Sequence, residues 1–198
     1  MSEIKVKKEY IPSDSVFYFF CVIGWSLILL LLGVMQSSFV VLYINGHSME
    51  PNVHDGELRI LDTFAYKRSG PERYDVVSVN GDRIPEVGSL CKRVYGLPGE
   101  TIMIDEDGNI FIDGEVIDDP YGAGHTSEYP ARTLGEDEYF VLGDNREISL
   151  DSRNPAVGVI KRGEFRGKSL SYCHVPLDEA TAQEWREQLM VKDNETDR

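Results

Sequence analysis

Three short segments of this 198-residue chain carry residue types that could do chemistry. Gly46-His47-Ser48-Met49-Glu50-Pro51 offers a serine hydroxyl next to an imidazole. Lys92-Arg93-Val94-Tyr95-Gly96-Leu97-Pro98-Gly99-Glu100 offers two adjacent cations ahead of a turn. Gly143-Asp144-Asn145-Arg146-Glu147-Ile148-Ser149-Leu150-Asp151-Ser152-Arg153 offers hydroxyls, carboxylates and guanidinium groups at close spacing. Taken singly, each has a plain reading: a serine before a proline turn, a solvated basic pair, a Gly-Asp-Asn turn. A serine hydroxyl is a weak nucleophile and needs a base to take its proton. Histidine is the first candidate, because the Ser-His-Asp arrangement recurs on many folds. His47 adjoins Ser48, but successive side chains of an extended chain point to opposite faces, so it cannot readily serve that hydroxyl. His54, His125 and His174 stand in no distinctive context. Gly-His-Ser-Met-Glu is also not the G-x-S-x-G elbow of α/β-hydrolases.

Other chemistries fit less well. Asp105–Asn109 is acidic enough for calcium but has Ile110 where an EF-hand loop needs its sixth-position glycine and Val116 where it needs its twelfth-position glutamate. It reads as a hairpin turn. Gly96-Leu97-Pro98-Gly99 lacks the P-loop spacing and its trailing Lys-Ser/Thr. The formal net charge of -14 argues against nucleic acid, whose phosphates need neutralising cations. The three cysteines, Cys21, Cys91 and Cys173, form no CxxC pair and no zinc-spaced cluster with histidine. No metal or cofactor is therefore expected. A Cys91–Cys173 bridge is conceivable, with free thiols the simpler expectation.

The elements that must position these segments begin with an apolar run. Val16 to Met35 holds 20 residues without a charge, enough for about 30 Å of helix, the thickness of a bilayer's hydrocarbon core. A buried core helix would be shorter and show a polar face, and a cleaved leader would have a shorter apolar region and a small-residue cleavage site, which Met-Gln-Ser-Ser does not supply. Lys5, Lys7 and Lys8 precede the run and the next basic residue is Arg59, so the positive-inside rule puts the N-terminus in the cytoplasm and the rest outside. Residues 1–15 then form a cytoplasmic tail, 16–36 the transmembrane anchor, 37–177 an extracytoplasmic domain and 178–198 a C-terminal helix or tail. β-Branched and aromatic residues predict strands at Ser38–Asn45, Glu57–Ala65, Tyr74–Asn80, Leu90–Tyr95 and Glu138–Leu142. Thr101–Ile117 alternates around Asp-Gly turns and predicts a hairpin. Asp178–Met190 has helical composition. With 41% hydrophobic residues the chain can bury a core, and the expected class is mainly β with one N-terminal transmembrane helix.

In this order, behind an apolar anchor, the three segments resemble bacterial type I signal peptidase. That family's Ser-Met-x-Pro, Lys-Arg-Val-x-Gly-x-Pro-Gly-Asp/Glu and Gly-Asp-Asn-x-x-x-Ser-x-Asp-Ser-Arg motifs all have counterparts here, and Tyr74-Asp75-Val76-Val77 is similar to its weaker fourth motif. The resemblance runs from the anchor to about Leu177 and implies a catalytic domain of coiled antiparallel β-sheets. It implies Ser48 as nucleophile and Lys92 as general base, with Ser149 orienting the Lys92 amine. Asp151 and Arg153 would form a supporting ion pair near Arg93, and Asp144 and Asn145 would shape the turn. Where some relatives carry an oxyanion-assisting serine this chain has Gly46, as is common in single-span Gram-positive members, so the oxyanion would rest on the Ser48 N–H and the backbone at Gly46. Lysine at 92 also separates the chain from the endoplasmic-reticulum branch, which has histidine there. A solvated lysine is protonated at neutral pH, so Lys92 must be desolvated by apolar neighbours and kept from carboxylates.

The implied substrates are secreted precursors bearing signal peptides, cut after small residues in an A-x-A pattern, with no cofactor. Leu42, Ile44, Met49, Val53 and Cys91 would line shallow pockets for those residues, and the peptide would add as a strand to an exposed sheet edge. Ser48 lies 13 residues after Met35, a tether that holds it near the outer bilayer surface at about 3.3–3.6 Å per residue. Two other readings stay open: a conjugation-system peptidase with the same dyad and another substrate, and a tethered binding domain with an inactive dyad. Repressor-type Ser/Lys autoproteases are soluble and act with DNA, which the anchor and the acidity disfavour.

Overall fold

A computed structural model describes residues 14–67, 69–81 and 88–176, together with 180, 181 and 184. The chain divides into two compact units, Met1–Ser38 and Phe39–Arg198. In the first, helix α1 spans Asp14–Ser38. Its Val16–Gly33 stretch has a mean hydropathy of 2.4 and no buried residue, so it is long and apolar enough to cross a membrane. The helix runs through Ser38, which the sequence reading gave to the first strand.

The second unit is built from antiparallel ladders. Its strands are β1 (Phe39–Tyr43), β2 (Glu57–Asp62), β3 (Val76–Val79), β4 (Leu90–Gly96), β5 (Thr101–Ile104), β6 (Ile110–Ile112), β7 (Glu115–Val116), β8 (Tyr129–Thr133), β9 (Glu138–Leu142), β10 (Ile160–Lys161) and β11 (Phe165–Pro176). One sheet has the order β1-β2-β11-β3-β4-β9-β10 and the other β7-β6-β5-β8. β1 is an edge of the larger sheet. A core of Tyr95, Ile102, Ile104, Ile110, Leu134, Phe140 and Leu142 joins the small sheet to β4 and β9. Gly96 permits this approach, since a Cβ there would lie 2.7 Å from the Leu134 side chain and 2.9 Å from Phe140.

The hairpin reading of residues 101–117 matches β5, β6 and β7, with Asp105 accepting hydrogen bonds from both the backbone and side chain of Asn109 at the first turn. The longest strand, β11, has no counterpart among the predicted elements. Its sequence, Phe-Arg-Gly-Lys-Ser-Leu-Ser, is polar and glycine-containing, and it is a strand because β2 and β3 pair with its two edges. The short strands β8 and β10 were likewise not predicted. The C-terminal helix reading and the N-terminal tail fall almost wholly outside the described residues. Cys91 is a free thiol, which removes the bridge to Cys173.

Candidate active site

Residues directly opposite one another in a ladder point to the same sheet face. The register pairs Leu42 with Arg59, Val40 with Leu61, Leu61 with Ser169, Gly167 with Ser78, Ser78 with Cys91, and Val76 with Arg93. One face of the larger sheet therefore carries Leu42, Leu61, Ser78 and Cys91, and beside them Arg59, Ser169, Val76 and Arg93. The segment joining β1 to β2 lies over this face. Its Met49 and Val53 are buried with Ile44 and Val76, and Leu42 and Cys91 pack against them. That anchorage fixes Ser48, one residue before Met49. On either side lies a cavity. The first, about 510 Å³, is lined by Leu42, Ile44, Ser48, Met49, Cys91 and Lys92 among others. The second, about 700 Å³, is lined mainly by polar groups, including Asn52, Glu57, Arg59, Asp75, Arg93 and Lys168, with Val53 on its wall.

Alternation places Lys92 with Leu90, Val94 and, across the ladder, Val77, all of them buried. Lys92 itself is 2% exposed. Its Nζ lies 2.7 Å from Ser48 Oγ and donates to the Cys91 carbonyl at 2.9 Å. Burial is the main influence on its pKa and pushes it below the ordinary lysine value. The same desolvation pushes the Cys91 thiol up to about 11, keeping it protonated. Among the described residues no carboxylate pairs with Lys92. Asp151 is taken by Arg153 through two hydrogen bonds of 2.9 Å, and by the Gly143 N–H. Asp144, fully buried, is held by Arg93 Nε at 2.8 Å and a terminal nitrogen at 2.6 Å. An amine that is buried, unpaired and in contact with a hydroxyl can be neutral at physiological pH and accept that hydroxyl's proton.

The model of the family described as "Signal peptidase, peptidase S26" matches residues 16–173. The chain belongs to this family. Signal peptidase I S of Bacillus subtilis (strain 168) is 31% identical over 165 residues, covering 77% of this chain and 85% of the relative. Signal peptidase I of Bacillus licheniformis is 33% identical over 148 residues, covering 69% and 76%. Signal peptidase IB of Staphylococcus aureus (strain Mu50 / ATCC 700699) is 30% identical over 155 residues, covering 69% and 78%. The chain is a serine endopeptidase of the signal peptidase I type, which removes signal peptides, and its apolar N-terminal helix is consistent with membrane anchoring.

The remaining residues singled out in the sequence of this signal peptidase fall unevenly around the Ser48–Lys92 contact. Asn145 donates its N–H to the Ser48 carbonyl at 3.1 Å, tying the third segment to the first. Gly143 lies in the same seam, where a Cβ would come within 2.0 Å of Ser149 Oγ and 2.5 Å of the Ser48 carbonyl, so only glycine fits. Among the described residues the buried Ser149 Oγ has no hydrogen-bond partner, so the expected bond to Lys92 is not formed; Lys92 Nζ is engaged by Ser48 and the Cys91 carbonyl. The Gly46 N–H is not available to an oxyanion, because it donates to Asp55 Oδ1 at 2.7 Å. The Ser48 N–H makes no hydrogen bond among the described residues. Val53 is not in the cavity with Leu42, Ile44, Met49 and Cys91 but on the wall of the other one.

A supporting layer went unassigned in the sequence. Arg146, 2% exposed, bonds the Gly143 carbonyl, Thr126 and Asp119 and lies over the Tyr95 ring. Arg93 stacks on Tyr121 with its guanidinium carbon 3.8 Å from the ring centre. Asn52 bridges the Tyr121 carbonyl and Asp144. These contacts strap residues 119–126 over the third segment. Arg146 lies inside that segment and could have been flagged from the sequence. Nothing in the sequence links it to Asp119, 27 positions away.

Proposed function

We propose that Ser48 and Lys92 form the catalytic dyad of this signal peptidase. Neutral Lys92 takes the proton of the Ser48 hydroxyl as Oγ attacks the carbonyl carbon of the scissile peptide bond. The Ser48 N–H stabilises the resulting oxyanion. The Lys92 ammonium then protonates the leaving amine, the C–N bond breaks, and the signal peptide remains as an ester on Ser48. A water molecule, deprotonated by Lys92, hydrolyses that ester and restores the hydroxyl. The ammonium formed in each half of the reaction sits in the field of Asp151 and Asp144, both of which favour its charged form without contacting it. The observation that carries this reading is the 2.7 Å Nζ–Oγ separation at a lysine that is 2% exposed.

The exposed edge of β1 would receive the precursor as an added strand, with small side chains entering the cavity beside Leu42, Ile44, Met49 and Cys91. The precursor is membrane-bound by its own apolar segment, and α1 would hold the enzyme in the same bilayer with its N-terminus in the cytoplasm and its catalytic unit outside. Shared anchorage raises the effective concentration of one for the other. Nucleic acid has no part in this reading. The test is processing of a secretory precursor in detergent. Ser48→Ala and Lys92→Ala are each expected to lower cleavage by about 1,000-fold or more. Full activity in either variant, with the protein folded, overturns the dyad.

A further inference from the structure

The chain carries 34 acidic residues against 20 lysines and arginines, yet among the described residues the wall of the first cavity holds no carboxylate. It does hold an arginine, Arg166, the second residue of β11. Arg59, Arg93 and Arg146 are buried and each pairs with a carboxylate. Arg166 is exposed, and among the described residues its guanidinium makes one hydrogen bond, from Nη1 to Ser89 Oγ at 2.5 Å. A guanidinium has five N–H donors and keeps its charge, so most of its donors face outward and it offers a fixed fork to an acceptor. Ser89 immediately precedes β4 and stands three positions before Lys92, about 10 Å away at the rise of an extended chain. The wall's other basic side chains, His47 and Lys92, stand at the dyad end. A peptide laid between β1 and this end of β4, with its scissile bond at the dyad, has its last residue before the cut beside Lys92. Its fourth residue back then lies beside Ser89, and the length of the arginine side chain extends the reach to the fifth. Leu42, Leu61, Leu90, Ile148 and Leu150 make much of the remaining wall apolar. If Arg166 only closed that wall, an uncharged side chain would do so without holding a cation over it.

We infer that Arg166 is a specificity-determining residue that favours precursors with an aspartate or glutamate four or five residues before the cleavage site and disfavours those with a lysine or arginine there. This rests on the proposed seating of the precursor along that cavity. An exposed ion pair is screened by solvent and salt, so the selection is graded and sensitive to ionic strength. It combines attraction for one charge with repulsion of the other, and with no carboxylate on the described wall nothing there cancels either.

The test uses matched precursors with aspartate, asparagine or lysine at each of these two positions in turn, cut by the full-length enzyme in non-ionic detergent at low salt. At one of the positions wild-type enzyme is expected to show kcat/KM about twofold to fivefold higher for aspartate than for asparagine, with lysine lowest, and added salt should narrow the spread. Arg166→Gln should bring the three precursors level, Arg166→Glu should reverse their order, and Arg166→Lys should keep aspartate ahead. Equal rates on the three precursors at both positions with wild-type enzyme overturn the inference. So does an order of preference that survives in Arg166→Glu, or a loss in Arg166→Gln that is the same for all three, since a purely structural arginine would act on every precursor alike. Cleavage of the asparagine precursor that depends on Ser48 supports the peptidase reading whatever the charge preference. If wild-type enzyme cuts none of the precursors, that reading falls and takes this one with it.

Discussion

The two cavities that flank the β1–β2 connection differ in how they treat positive charge. Around the second, Arg59 pairs with Glu57 at 3.2 Å, Arg93 with Asp144 at 2.6 Å and Lys168 with Asp75 at 2.5 Å. At the first, Lys92 is as deeply buried as Arg59 and Arg93, yet among the described residues it has no carboxylate partner. Lys92 and Arg93 are neighbours in one strand, so the contrast arises within a single peptide unit. Alternation sends one side chain to each face of β4. Arginine cannot shed its proton in a protein, so burying it requires a counter-ion. Lysine can, and burial without a counter-ion pushes it toward the neutral amine. A structural cation and a candidate base are thus made from adjacent residues by giving a carboxylate to one and withholding it from the other.

The largest effect expected from breaking this contrast lies on the paired side. Asp144→Ala removes the carboxylate that pairs with the Arg93 guanidinium, which is only 5% exposed, and also one of the two acceptors of Asn52. Loss of one partner of a buried pair costs about 3–5 kcal/mol, which should appear as a marked drop in the urea midpoint. An Asp144→Ala protein as stable as wild type would show that the pairing is not what keeps Arg93 buried.

On the other side, the contrast predicts a pH profile. With Lys92 acting as base, kcat/KM should rise with pH through its depressed pKa and, below it, fall by about tenfold per pH unit. Rates measured from pH 5 to 9 on one precursor decide this, and a flat profile would remove the neutral amine from the mechanism.

Much of this arrangement is legible in the sequence, and the boundary is physical. The Lys92-Arg93 pair and its strand are readable because β-branched neighbours and period-two alternation are local properties. The third segment is readable as a unit because its turn residues are contiguous. Contacts set by long-range pairing are not readable: β11 is a strand only because β2 and β3 flank it, and Arg146 meets Asp119 only after residues 119–126 fold back. The hydrogen bond at Gly46 is unreadable for the same reason. Asp55 takes that N–H from the far end of the β1–β2 connection, and nothing near Gly46 announces it. Ser149 was placed next to the dyad by resemblance, and its hydroxyl is buried there without the predicted bond.

A smaller effect concerns stability. The Lys92 pKa in the folded protein lies below its unfolded value of about 10.4. Between the two the unfolded chain binds more protons, so Lys92 costs stability at neutral pH and ceases to do so as pH rises through the unfolded value. Lys92→Met keeps the volume and removes the titrating amine. It should raise the urea midpoint at pH 7, with the gain shrinking toward pH 10. A variant less stable than wild type at pH 7 would mean that the amine is held by favourable contacts and not merely tolerated.

The smallest effect is expected at His47, and it separates a base from a bystander. Its side chain is 59% exposed and its Nδ1 lies 2.9 Å from Glu50 Oε1, a hydrogen bond that lowers the Glu50 pKa. An exposed pair of this kind is screened by solvent and contributes little to fold or rate. His47→Ala should therefore change kcat/KM by no more than about twofold to threefold, the range of an ordinary surface substitution. A loss comparable to that of Ser48→Ala would move the proton-accepting role from Lys92 to His47. The absence of a carboxylate at Lys92 would then need another explanation, because a histidine base would have no use for a neutral amine beside the nucleophile.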